Sequence, residues 1–102
     1  MVVEHVFGFA DADLNRVRLL VEQLVGVRMV PRSSDYRGGD YFGWKWGQDE
    51  EIRLQTNREL DGPMELDFPT TPTLLYVVGS RAEHLRRDLL ALPGVQLLRA
   101  QV

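Results

Sequence analysis

The run Thr73-Leu74-Leu75-Tyr76-Val77-Val78 constrains the fold most, because it is apolar at both odd and even positions. A strand with that pattern has no wet face and belongs inside a sheet. The residues after it narrow the choice. Ser80-Arg81-Ala82-Glu83 has the form of a capping box, in which Ser80 and Glu83 would satisfy each other's backbone donors at a helix start. Leu85, Leu89 and Leu92 give an apolar stripe; Arg81, Glu83, Arg86, Arg87 and Asp88 give a wet side, and Pro93-Gly94 a stop. Val95 to Val102 reads as a last strand, so strand, helix and strand imply a right-handed crossover.

The first half reads in the same way. Val3, His5, Phe7 and Phe9 alternate along an opening strand over 2–9. Asp11 or Asp13 supplies a helix N-cap. Leu14, Val17, Leu20, Val21, Leu24 and Val25 then recur at helical spacing, and Gly26 ends the helix. Val27 to Val30 is a short strand that Pro31 stops, and 32–40 is a loop. A hairpin follows. Phe42, Trp44 and Trp46 share one face of 41–46, Gly47-Gln48-Asp49 turns, and 51–57 returns with Ile52, Leu54 and Thr56 aligned. Residues 60–72, with three prolines and three acids, connect the halves. The expected fold is one α+β domain over residues 1–102, of order β-α-β-β-β-β-α-β, with one mixed sheet and both helices on one face. Whether Phe42, Trp44 and Trp46 meet the helices or the open face is left undecided by the pattern.

At 102 residues the chain builds one core. The absence of cysteine excludes disulfide frameworks, thiolate metal sites and cysteine nucleophiles. Met1-Val2-Val3-Glu4-His5 lacks the basic start and apolar core of a signal peptide, and the longest apolar run, 74–78, is far shorter than the roughly 20 residues a membrane span needs. The expected protein is cytoplasmic, with no membrane partner. Its net charge of −3 is uneven: Asp49, Glu50, Glu51, Glu59, Asp61, Glu65 and Asp67 face only Arg53 and Arg58 in that segment. An acidic middle argues against nucleic acid or phosphate as the main ligand and favours a basic protein partner. A solvated acidic loop is the plainer reading.

Chemical motifs are sparse. No G-x-S-x-G elbow, P-loop or G-x-G-x-x-G occurs, and no cofactor is expected. His5 on the first strand and His84 on the last helix have no second ligand at metal spacing on their own elements. A packed side chain is the expected role of His5, and a helix surface that of His84. The positive feature is aromatic residues beside acids: Tyr36, Asp40, Tyr41, Asp49, Glu50 and Glu51 are the candidate contacts of a protein partner. Tyr36 and Tyr41 are expected to be exposed, the tryptophans to lie in the core.

Two stretches resemble known families. Glu4-His5-Val6-Phe7-Gly8-Phe9, with a helix leading to Leu24-Val25-Gly26-Val27, resembles the opening module of the vicinal oxygen chelate family, the glyoxalase and bleomycin-resistance group. That likeness implies a metal or small-molecule site with His5 as a ligand and Glu59 at the second position. Leu19-Leu20 stand where that family usually has an aromatic pair. Tyr36-Arg37-Gly38-Gly39-Asp40-Tyr41, Glu51-Ile52-Arg53-Leu54-Gln55-Thr56-Asn57 and Pro72-Thr73-Leu74-Leu75-Tyr76-Val77 are similar in pattern to small immunity proteins of bacterial polymorphic-toxin systems. This implies a bacterial, cytoplasmic, non-catalytic domain that neutralises a basic toxin. A third reading is a homodimerising domain that pairs through the edge of the last strand.

Overall fold

The computed structural model describes residues 3–34, 39–58 and 62–101. Its elements are β1 (Glu4–Phe9), α1 (Leu14–Val25), β2 (Val30–Ser34), β3 (Gly39–Gly47), β4 (Glu50–Thr56), β5 (Thr73–Val78), α2 (Arg81–Leu90) and β6 (Val95–Gln101). The α+β class and the element order are those predicted from the sequence.

The sheet runs β2-β3-β4-β5-β1-β6. β1 is hydrogen-bonded to β5 on one side and β6 on the other, antiparallel to both. β5 and β6 therefore run parallel to each other, joined by α2, with β1 threaded between them. This split β-α-β arrangement corrects the mixed sheet expected from sequence: every neighbouring pair is antiparallel. The spacing explains why the insertion is easy. Two strand separations come to about 10 Å, the width of a helix with its side chains, so α2 bridges β5 and β6 without strain.

Register then sorts the side chains. One row across the sheet reads Pro31, Phe42, Leu54, Leu75, Phe7 and Leu97, and the next reads Trp44, Ile52, Val77, His5 and Ala100. These rows meet Val17 and Val21 of α1 and Ala82 and Leu89 of α2 in the main core, so both helices lie on one face. Phe42, Trp44 and Trp46 pack against that core, half-buried, which settles their direction. The opposite face has a second, smaller cluster of Val6, Leu74 and Tyr76 under Met64 and Leu98. Both parities of β5 are buried, as its composition requires.

Local signals fare unevenly. Asp13 is the N-cap of α1 and accepts from Arg16 N, while Gly26 closes the helix at φ 79° with its N–H on Glu22 O. Pro31 does not end β2 but sits inside it, and Arg32, Ser33 and Ser34, expected in a loop, continue the strand. The physical reason is that β2 is an edge, where a missing N–H costs no ladder bond if it faces outward. The capping box is not formed. Ser80 has helical backbone angles and no side-chain cap bond, and Glu83 turns toward His5 instead. Leu54, fully buried between β3 and β5 under the helices, tests the core. Leu54→Ala is expected to lower unfolding free energy by about 3 kcal/mol in urea denaturation, in line with other buried leucine truncations.

Candidate binding surface at the β2–β3 edge

The helices do not reach across the sheet. α1 lies over β4, and α2 over β5 and β6. Two packed helices span about 20 Å and six strands about 24 Å, so the β2 edge is left uncovered. The apolar side chains that β2 and β3 direct toward the helix side are then only partly sheltered. Between them and the first turn of α1 runs an open groove of ≈ 560 Å³. Leu14, Pro31 and Phe42 line it, with Asn15, Arg32, Ser33, Asp40 and Tyr41 contributing polar groups. Arg18 reaches over the Phe42 ring at 4.8 Å and pairs with Glu22 at 3.7 Å. Val30, 41% exposed, pairs with Gly43 and so lies at the alternate parity, outside the groove.

The sequence candidates are dispersed over this framework. Asp40 is exposed at the groove, opposite Ser33. Tyr41, expected to be exposed, is 9% accessible on the other face of β3, opposite Arg32. Its alternation with Phe42 puts it over the sheet. Asp49 is exposed in the turn after β3, and Glu51 is half-buried opposite Lys45. The nine-residue strand between them puts Asp40 and Asp49 roughly 25 Å or more apart, so the six residues do not share one patch. Tyr36 and Glu59 lie outside the described residues.

Glu50 has a structural duty. Its carboxylate accepts from Ser80 Oγ at 2.5 Å and Ser80 N at 3.3 Å, and it pairs with Arg81. Arg81 in turn stacks on Trp46 at 4.6 Å. The β3–β4 turn is thus latched to the start of α2, and the helix receives from a distant strand the carboxylate that a capping box would supply locally. Gly79, at φ 107°, makes the approach feasible, because a Cβ there would lie 2.8 Å from Asp49 O.

His5 is fully buried on the helix side of β1. Its Nε2 lies 2.9 Å from Glu83 Oε1 without hydrogen-bond alignment, and Nδ1 has no partner among the described residues. Its position under α2 is a packed one. No group of three or more histidines or acids among the described residues is placed to hold a metal ion. His84 is exposed on α2.

The face away from the helices holds a polar network that sequence reasoning did not pick out. Arg53 donates from Nε to the buried Gln55 at 2.8 Å and lies over the Tyr76 ring at 4.5 Å. Tyr76 donates to Glu65 at 2.7 Å; burial and that carboxylate push its hydroxyl pKa up, so it stays a donor. Glu65 accepts from Arg99 at 2.5 Å, and Arg99 reaches Glu4 at 3.4 Å. Strand parity alone could have grouped Arg53 with Gln55, but not with Tyr76 or Glu65. No helix among the described residues is long and apolar enough to cross a membrane. In comparisons with known proteins, no family model and no curated protein matches the chain.

Glu50 generates a pH test. Its contacts with Ser80 and Arg81 hold the carboxyl below its ordinary 4.5. A depressed folded pKa gives stability that is present above 4.5 and lost as pH falls through the folded value. Glu50→Gln should therefore melt below the wild type at pH 7, with the gap closing as the pH falls from 4.5 through the lowered folded value. Thermal melts followed by circular dichroism across that range check this.

Proposed function

We propose that this domain is a protein-binding module of the immunity type, which engages its partner through the groove beside β2 and β3. The observation that carries the reading is Phe42: a large aromatic on the helix side of the sheet, left half-buried at the floor of an open groove with Asp40 exposed at its rim. Apolar anchoring within a polar margin is how protein interfaces concentrate affinity. Leu14, Pro31 and Phe42 offer the anchor site for an apolar side chain of the partner. Asp40 offers a carboxylate to a lysine or arginine beside it, which suits a basic toxin domain. The resemblance in pattern to small immunity proteins supports the same direction.

The test is to co-express the chain with the protein encoded by the neighbouring gene in its genome. The expected outcome is rescue of growth from that protein's toxicity and a stable complex on size exclusion. Asp40→Lys, an exposed change, should weaken the complex at least tenfold, about 1.4 kcal/mol, without moving the melting temperature. Phe42→Ala should weaken it further. A neighbour that is harmless and forms no complex would overturn the immunity reading, and an Asp40→Lys variant with full affinity would overturn the location.

A further inference from the structure

The sheet face away from the helices carries a pocket of opposite electrical character to the chain. It holds ≈ 300 Å³ and is lined by Arg32, Tyr41, Gly43, Lys45, Glu51 and Arg53, together with parts of Trp44 and Ile52. Among the described residues that line it, three cations meet one carboxylate, a net of +2 in a molecule of net −3. Register explains the convergence. Arg32, Gly43, Lys45 and Arg53 come from three adjacent strands at the parity that faces away from the helices, while Asp40 and Phe42 face the other way.

Gly43 is the second observation. It lies in the interior of β3 paired with Val30 and Arg53, where glycine weakens a strand. Its backbone does not demand glycine, since its φ is outside the positive range. Space does not demand it either. A Cβ would rest 3.7 Å from Ile52 O and 3.8 Å from Arg32 Nε, ordinary contact distances. What the missing side chain does provide is an open floor beneath the cations, where a ligand can approach the main chain closely. Arg53 is already oriented by Gln55 and by stacking on Tyr76, so part of the site is built before a ligand arrives. Arg32 and Lys45 have no ion-pair partner among the described residues.

We propose that this pocket binds the phosphate group of a small soluble phosphomonoester. A dianion matches the local +2, planar guanidinium groups suit its oxygens, and Lys45 adds a mobile point charge. A volume near 300 Å³ lies at the small end of ligand sites, which suits a head group of this size. The inference stands apart from the protein-binding reading, because the site opens on the opposite face of the sheet and can be tested without any protein partner.

The experiment is a titration of the ¹⁵N-labelled chain with inorganic phosphate, glycerol phosphate, sulfate and malonate. Saturable shifts are expected at Gly43, Lys45 and Arg53, with dissociation constants of about 1 mM for phosphate and glycerol phosphate. Lowering the pH from 7.5 to 5 should weaken both, because each dianion gains a proton within that interval, and leave sulfate unchanged. Lys45→Gln, an exposed change, should raise the dissociation constant at least fivefold. Gly43→Val should abolish binding while keeping the circular dichroism spectrum, and Arg86→Gln on α2 should change nothing. Several results would overturn the proposal: no saturable shift at about 20 mM phosphate, full binding by Gly43→Val, or malonate binding as tightly as phosphate. Sedimentation with vesicles containing phosphatidate, without binding of glycerol phosphate, would overturn the soluble ligand.

Discussion

Because β1 hydrogen-bonds to both β5 and β6, α2 is drawn over the β1 side of the sheet, and α1 beside it reaches only as far as β4. Everything distinctive about the surface follows from that asymmetry. The strands under the helices carry the fully buried residues Phe7, Leu54, Leu75 and Val77. The strands beyond them, β2 and β3, keep the same alternation but lose the cover. Phe42 is therefore a core residue by pattern and a surface residue by position, and the groove beside it is a product of the topology.

Strand and helix identities were legible wherever one element's own residues decide them. The double apolar parity of 73–78, the stripe from Leu14 to Val25 and the alternation of Phe42, Trp44 and Trp46 each depend on burial at a fixed period, and each element formed. Pro31 was misleading because the cost of a proline depends on whether the strand is an edge, which only the sheet order reveals. The place of β1 was likewise illegible. Its alternation of Val3, His5, Phe7 and Phe9 describes a strand with one apolar face, whereas His5 to Phe9 are buried on both faces by its two neighbours and by the cover above each.

The candidate site was harder to read because charge in sequence and charge in space are different quantities. The acidic segment 49–67 looks like one patch, yet Glu50 caps α2 and Glu65 bridges Tyr76 and Arg99. Such acids are held as structure and contribute little to a partner's field. Asp40 and Asp49, which form no ion pair among the described residues, stand near opposite ends of β3. Meanwhile Arg32, Lys45 and Arg53, scattered among other residues in sequence, are gathered by register onto one face. A run of like charges shows up when a chain is read linearly; a cluster assembled across three strands does not.

The two edges of the sheet bear on how this molecule meets others. β2 contains Pro31, which lacks the donor that an added strand would use. β6 has an irregular register against β1, in which Leu98 falls between the pairs Phe7–Leu97 and Val6–Arg99, a bulge that twists an edge away from further pairing. Both features oppose extension of the sheet by a second copy or by an extended peptide. Recognition as proposed, through side chains in the grooves flanking β2 and β3, would escape that restriction, because it would draw on Phe42 and Asp40 on one face and on Lys45 and Arg53 on the other. Arg32 and Tyr41 line both grooves. A ligand on one face would therefore touch side chains that also border the other.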